Sequence, residues 1–538
     1  MTTHSLKWTA NRTVRCACFI ALSFVFLSLN GCFFRLGPNY APPQTAVSPE
    51  WSQENNNDVK KGPGQYRNWW SAFNDPVLNA LIEKAYEENL TLHVAGIRVL
   101  QARTQLGIAV GNWFPQSQQA NGSLERQSLS AYSTQGLSAP THNFSQAAIG
   151  GLASWEIDFW GKFSRAIESA NMSLMSSAAD YDNTLVTLIA DVASTYVSIR
   201  TLQKRLLIAH ENVTVQKESL KIAETRFKGG TTSDRDVEQA KTILASTQAD
   251  IPTIETNLIQ AVNLLSTLLG KPPFIISDFI GAQAVKIPTP QEQVAIGIPA
   301  DLLRRRPDIR QAEYDAAAQC ARIGIAKADL LPAFSLNGSL SWKASNMTTF
   351  PLSNMWDYNA FSGSMGPSFK WNILNYGRII NNVRTQDALF QEKLLLYQDK
   401  VLQAQREVEN ALTGFVKSQQ RASFLLQSVS AAKRSTDLAV IQYQQGMTDF
   451  TTVLTAQQEL LLQQNNHAVA RGAISQNLVS MYRALGGGWE IREGKDFVPT
   501  SIQTKMKERT YWGNLLKPKV SETDPVEASK PVIRLPDM

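Results

Sequence analysis

The sequence predicts a mixed α+β membrane protein. Its strands complete a barrel with those of sister subunits, and its long coiled-coil helices build a rod or a tube wall. Three observations carry this expectation. The chain repeats itself at one constant offset. It holds four alternating segments of about the ~9–11 residues a tilted membrane strand needs. It also contains two proline-free stretches that would each run ~100 Å as helix.

The N-terminus comes first in chain order. Lys7, Arg12 and Arg15 precede an apolar run from Cys16 to Leu29. That is a signal-peptide pattern, too short for the ~20 residues of a spanning helix. Leu29-Asn30-Gly31-Cys32 then reads as a bacterial lipobox, so Cys32 is expected to carry acyl chains and tether the mature chain to lipid. With residues 1–31 removed, the formal charge falls from +6 to about +3, which gives no reason to invoke nucleic acid. Of the four cysteines, Cys16 and Cys18 leave with the signal, Cys32 is acylated and Cys320 stays single. No disulfide frame follows. His4, His93, His142, His210 and His467 are scattered without metal-ligand spacing, and no GxGxxG, Walker loop or GxSxG occurs. The reading is therefore not an enzyme, with no cofactor and no metal.

The duplication fixes the domain plan. "SWEIDFWGKFSRA" (154–166) faces "KWNILNYGRIINN" (370–382), pairing Trp155 with Trp371, Ile157 with Ile373 and Gly161 with Gly377. The same offset pairs Phe227 with Tyr443, Gly230 with Gly446, Val237 with Val453 and Leu269-Gly270 with Leu485-Gly486. Upstream, with a one-residue slip, Gly107-Ile108-Ala109 meets Gly324-Ile325-Ala326. Residues 71–271 form the first repeat (helix, β-hairpin, long helix, helix) and 301–488 the second. Residues 32–70 are an extended lipidated segment. The proline-bearing stretch 272–300 is a linker within an equatorial belt, and 489–538 a flexible periplasmic tail.

Alternation defines the strands. Phe334, Leu336, Gly338, Leu340 and Trp342 interleave with Ser335, Asn337, Ser339, Ser341 and Lys343. Phe361 to Ile373 alternates likewise, as does Ile149 to Phe159 in the first half. Residues 118–127 are the weakest strand, because Arg126 interrupts their apolar side. A half-buried strand in a soluble sandwich alternates too. Aromatics closing the apolar faces, together with the lipobox, favour a membrane barrel. Its lumen is expected to carry polar partners including Glu156, Asp158, Lys343 and Lys370. Four strands cannot close in lipid, where an open edge leaves backbone groups unpaired. Sister chains must complete the sheet, two copies giving eight strands and three giving twelve.

The helices between Gly161 and Phe227, and between Gly377 and Tyr443, keep apolar residues at coiled-coil steps: Leu185, Leu188, Val192, Tyr196 and Ile199 in one, Val401, Ala404, Val408, Ala411 and Phe415 in the other. A helical bundle core explains the stripe but not the length. The helices must build a rod or a tube wall.

Several motifs, taken together, resemble one family: "GPNYAPP" after the lipobox, "WWSAFNDPVLNALIEKA" (69–85), "RRPDIRQAE" (305–313), "GIAKADLLPAFSLNGS" (324–339) and "ALGGGW" (484–489). They resemble NodT-type efflux lipoproteins of the TolC-like outer-membrane factor family, from Cys32 to about Trp489. The resemblance implies a homotrimer, hence a twelve-stranded barrel continued by a helical tunnel through the periplasm. It implies docking on a periplasmic adaptor and an inner-membrane pump of the RND type, with small molecules passing passively. A protein-secretion pore shares the fold, and a periplasmic adaptor is often lipidated. The lipobox and GPNY start favour efflux over the first, and the duplicated strand-helix unit counts against the second; both stay as alternatives.

The resemblance also implies a gate at the periplasmic tip, formed by the turns holding Gly229, Gly230 and Gly446. There an aspartate matching Asp236 bonds a tyrosine matching Tyr443. The family's aspartate ring falls here on Thr455, and an arginine of its closed-state network on Thr448. Thr448, Thr451, Thr452 and Thr455 share a helical face, so the aperture is expected to be lined by hydroxyls.

Overall fold

The computed structural model describes residues 35–48, 51–52, 59–61, 66–130, 132, 141–273, 286–290, 294–296, 304–347 and 351–516. Residues 1–34, which hold the expected signal peptide and Cys32, and residues 517–538 lie outside them. In chain order the elements are β1 (Val59–Lys61), α1 (Pro76–Glu88), α2 (Leu90–Gly111), β2 (Ser117–Ser128), β3 (Asn143–Glu156), α3 (Lys162–Lys228), α4 (Asp234–Leu268), β4 (Val294–Ile296), α5 (Pro307–Ala328), β5 (Ala333–Ser345), β6 (Phe361–Lys370), α6 (Arg378–Gln444), α7 (Phe450–Ala484) and α8 (Thr500–Arg509). The series α2-β2-β3-α3-α4 recurs as α5-β5-β6-α6-α7.

Both long helices, α3 and α6, have 67 residues, about 100 Å at 1.5 Å per residue. Each starts at a glycine in the left-handed region, Gly161 (φ 75°) and Gly377 (φ 79°), where the chain turns from strand to helix. The coiled-coil stripe is the buried face. Leu185, Val192, Tyr196 and Ile199 of α3 and Ala404 and Phe415 of α6 are fully buried.

The shorter helices reach the same length by stacking end to end. Asn89 caps α2 by accepting from Leu92 N at 2.8 Å, and its amide donates to Leu268 O at 2.8 Å, tying α2 onto the end of α4. Gly270 (φ 64°) turns there, where a Cβ would stand 2.4 Å from Glu88 O. In the second repeat Gly486 (φ 67°) turns beside Arg306. The Arg306 guanidinium donates to Ala484 O at 2.8 Å and pairs with Asp308 and Glu407. The "RRPDIRQAE" stretch is thus the splice between α7 and α5, with Pro307 at the first helical turn.

The sheet is antiparallel in the order β2-β3-β5-β6, and both edges are open. Register places Gly122, Ile149, Trp342 and Phe361 on one face, with Leu340 opposite Gly151 and Gly363. The other face is a ladder of small polar groups. Ser154 Oγ donates to Asn337 Oδ1 (2.7 Å), Asn337 Nδ2 donates to Ser368 Oγ (2.6 Å), and Ser339 and Ser364 hydroxyls meet at 2.7 Å. At the junction with the helices three indoles donate to backbone carbonyls: Trp155 to Trp113, Trp160 to Pro332 and Trp371 to Leu330. The Trp342–Phe361 pair (5.3 Å between centroids) marks the far end. Leu336, opposite Trp155, lies six residues from Trp342 along β5, ~20 Å along the strand and ~15 Å along the membrane normal at the usual ~40° tilt, within the ~25 Å apolar band of a membrane barrel.

Gly150 lets β3 and β5 meet, since a Cβ there would lie 2.5 Å from Leu340 O. Gly150→Val is expected to abolish the heat-modifiable oligomer on gel electrophoresis, because β3 can no longer hold its register.

Three expectations need correction. β3 ends at Glu156 and β6 at Lys370, so Ile157, Asp158, Phe159, Trp371 and Ile373 lie beyond the strands, where the chain bends into the long helices. Asp158 consequently does not reach the lumen: it is buried and accepts from Phe163 N and Ser164 N, both at 2.9 Å, satisfying donors at the start of α3. Finally, residues 489–516 are not a loose tail. Trp489 and Arg492 are buried, Arg492 is paired with Asp182, and Met506 and Leu516 pack against Leu100. Within the 272–300 stretch, β4 pairs in parallel with β1 and Thr289 accepts from Arg471 at 3.2 Å, so the described part of the linker crosses α7.

Candidate functional site

The end of the helices farthest from the sheet carries the candidate gate. Both hairpin tips have the same Schellman-type turn. Thr231 N bonds Arg226 O and Gly230 N bonds Phe227 O, while Met447 N bonds Gln442 O and Gly446 N bonds Tyr443 O. Gly230 (φ 71°) and Gly446 (φ 75°) supply the left-handed residue. Gly229 is ordinary helix backbone (φ −80°).

A small apolar cluster joins the two tips: Ala223, Val237 and Ala240 from the first hairpin, Ala439, Tyr443, Phe450 and Val453 from the second. Tyr443 is 3% exposed and Asp236 is 5% exposed, yet no direct bond links them. Thr232 stands between. Its hydroxyl is 3.5 Å from Tyr443 Oη and bonds the Asp236 carboxylate, which also accepts from Ser233 Oγ at 3.2 Å. Asp236 lies in the first turn of α4, where a negative charge complements the helix dipole. The firmer tie between the hairpins is Arg226. Its guanidinium stacks 4.5 Å from the Tyr443 ring centroid and donates to Tyr443 O.

Thr451, Thr452 and Thr455 are exposed and Thr448 is half-buried. Thr448 Oγ1 bonds Thr452 Oγ1 at 2.9 Å, and Thr455 Oγ1 bonds Thr451 O at 2.9 Å. The four lie on one side of the α7 start, opposite the buried Phe450, Val453 and Gln457. Asp449 caps α7 through Thr452 N at 3.1 Å, which puts a carboxylate among the hydroxyls. Further up α7, burial together with the Arg471 and Lys204 charges pushes His467 below its ordinary value.

Sequence reasoning missed Arg226 and Thr232, because nothing in their spacing marks a contact between hairpins. Asp449 was legible, being an aspartate followed three residues later by the threonine whose N–H it caps.

At the sheet, Glu156, Lys343 and Lys370 fall on the polar face by register. Glu156 also pairs with Lys162 at 3.6 Å, and Lys162 with Asp329 at 3.0 Å. Cys32 lies outside the described residues, but the chain just after it is anchored. Leu36 N donates to Trp160 O, and Arg165, 2% exposed, donates to Leu36 O and Asn39 Oδ1. Residue 35 therefore sits at the sheet–helix junction, beside Gly161.

The family described as "Outer membrane efflux protein" matches residues 81–271 and 298–487. The chain is 30% identical over 475 residues to nodulation protein T of Rhizobium leguminosarum bv. trifolii, covering 87% of this chain and 96% of that protein. It is 31% identical over 427 residues to the pyoverdine export outer membrane protein OpmQ of Pseudomonas aeruginosa, covering 79% and 88%. The solved outer-membrane channel OprN superposes with a TM-score of 0.79 at 31% identity, covering 85% of this chain and 100% of that one.

Proposed function

Since the chain belongs to the outer membrane efflux protein family, it is an outer-membrane channel of a tripartite efflux system, and we propose that it is a lipid-anchored passive duct for small molecules. In this reading three chains, each giving the four strands β2-β3-β5-β6, close a twelve-stranded barrel. Helices of ~100 Å carry the conduit toward an adaptor and an RND-type pump. The single observation that best supports passive conduction is the sheet's polar face of hydroxyls and amides with Glu156, Lys343 and Lys370. Its mixed charges suit a water-filled, weakly selective exit. Relatives are named for pyoverdine export and for cation, solvent and toluene efflux, which fits a duct that takes small molecules.

Asp236, Thr232, Tyr443 and Arg226 form the tip latch in this reading, and the four threonines line the aperture. The lipid anchor is supported by position. Cys32 is three residues upstream of Arg35, a reach of at most ~10 Å, so acyl chains on its thiol and amine enter the leaflet that the junction indoles already mark.

The test is direct. In cells lacking their own exit duct but holding a matched adaptor and pump, expression of the chain should restore dye efflux, and the purified trimer should conduct in planar bilayers. Assembled trimers that pass no current and leave dye accumulation unchanged would end the proposal. Cys32→Ser is expected to lose labelled palmitate while keeping a heat-modifiable trimer, since barrel closure rests on strand pairing. Undiminished labelling would place the acyl group elsewhere.

A further inference from the structure

Arg126, the residue that interrupts the apolar side of β2, has a place in the fold that the channel function does not use. Register sets both its face and its height. Arg126 pairs with Ser145, whose carbonyl accepts from Asn346 N at 3.1 Å. Two residues toward the periplasm the same face reads Leu124, Ala147 and Ala344. Two further on it reads Gly122, Ile149, Trp342 and Phe361. Arg126 therefore shares the lipid-facing side but stands four residues beyond the Trp342–Phe361 pair. That is ~13 Å along a strand, and ~10 Å along the membrane normal at the usual ~40° tilt. The guanidinium stands at the outer edge of the ~25 Å apolar band, within side-chain reach of the headgroups.

Beyond the apolar Leu124, Ala147 and Ala344 on its periplasmic side, its neighbours on that face are neutral and polar: Ser145 and Asn346, whose amide oxygen accepts from Ser145 N at 2.6 Å, then Ser128 opposite Asn143. Glu125 points to the other face by parity and accepts from Gln127 at 3.2 Å. Arg126 is exposed and makes no ion pair among the described residues. An arginine fork flanked by hydroxyl and amide groups, with no carboxylate, is matched to a phosphate.

We propose that Arg126, with Ser145 and Asn346, binds a phosphate of an outer-leaflet lipid headgroup, one site per subunit around the barrel. This rests on the barrel reading, and bilayer conductance is measured on every variant to keep the two apart. The probe is diphosphorylated lipid A added to the detergent-purified trimer, with retention read by native mass spectrometry. Wild type should retain up to three lipid A molecules. Arg126→Gln should lower retention about tenfold with conductance unchanged, and paired Ser145→Ala and Asn346→Ala changes should lower it severalfold. Dephosphorylated lipid A should bind all forms equally weakly, and millimolar inorganic phosphate should not displace the lipid.

Equal retention by Arg126→Gln and wild type overturns the proposal. So does full displacement by inorganic phosphate, which would make this a site for the free anion. Trimer dissociation in Arg126→Gln with lipid retention intact also overturns it, reassigning the arginine to an ion pair with a neighbouring subunit.

Discussion

Arg492→Ala is expected to destabilise the upper tunnel by about 3–5 kcal/mol, the usual cost of stripping one partner from a buried ion pair. Asp182 has no exposure and Arg492 is 8% exposed, with Nη2 2.9 Å from the carboxylate. The guanidinium is held against Phe497 at 4.9 Å and Trp489 at 5.8 Å. Its loss leaves a carboxylate in the middle of α3 with its main counter-charge gone. The temperature at which the trimer converts to monomer on heating should fall well below that of wild type. Asp182→Leu combined with Arg492→Met should fall much less, because a well-packed apolar pair avoids the desolvation cost. An unchanged conversion temperature in the single variant would show that residues 489–498 are dispensable to the fold.

The second large effect is on gating. Asp236→Ala should raise single-channel conductance in planar bilayers severalfold. A hydrogen bond to a charged group is worth ~1.5–3 kcal/mol, and the trimer has three such sites. Removing the carboxylate frees Thr232, the only described side chain within hydrogen-bond reach of the Tyr443 hydroxyl. Tyr443→Phe should raise conductance less. The contact it deletes is 3.5 Å long, and the phenyl ring keeps its place beside Arg226 and Phe450. Wild-type conductance in both variants would move the constriction away from the tip latch.

Secondary structure was highly legible here because local physics and tertiary demand coincide. The long-helix bounds follow from a positive-φ glycine at each end, Gly161 and Gly230 around α3 and Gly377 and Gly446 around α6, and from the absence of proline within each pair. The strands follow from strict alternation, which a membrane enforces more severely than a soluble core, since one face meets lipid and the other water. The alternation misled only at the strand ends. Ile157 and Phe159 continue the pattern beyond the strand. Ile157 makes a last bond to the sheet, donating to Phe334 O at 2.8 Å, and Phe159 then packs at the junction against Trp160 and Phe334. Asp158 was misread for the same reason. Parity cannot reveal that its carboxylate turns back to meet Phe163 N and Ser164 N.

The gate was legible only through resemblance, and then only in part. Asp236 and Tyr443 do lie at one tip, but Thr232 separates them and Arg226 makes the stronger tie. Both belong to an ordinary-looking helix end, and a contact between hairpins more than 200 residues apart in sequence leaves no local signal. The charges and prolines of 489–538 likewise suggested a loose tail. Composition describes the average partner, whereas Arg492 finds one specific buried carboxylate on α3.

By itself, then, the sequence determined which segments are strand, which are tunnel-length helix and that the whole is written twice, because periodicity, glycine placement and proline exclusion act between near neighbours. Only the tertiary structure decided how α2 and α4 and then α5 and α7 splice into full-length rods, where Asp158 spends its charge and what bridges the tip. Those outcomes depend on groups brought together from distant parts of the chain, where the direction of a single side chain selects the partner.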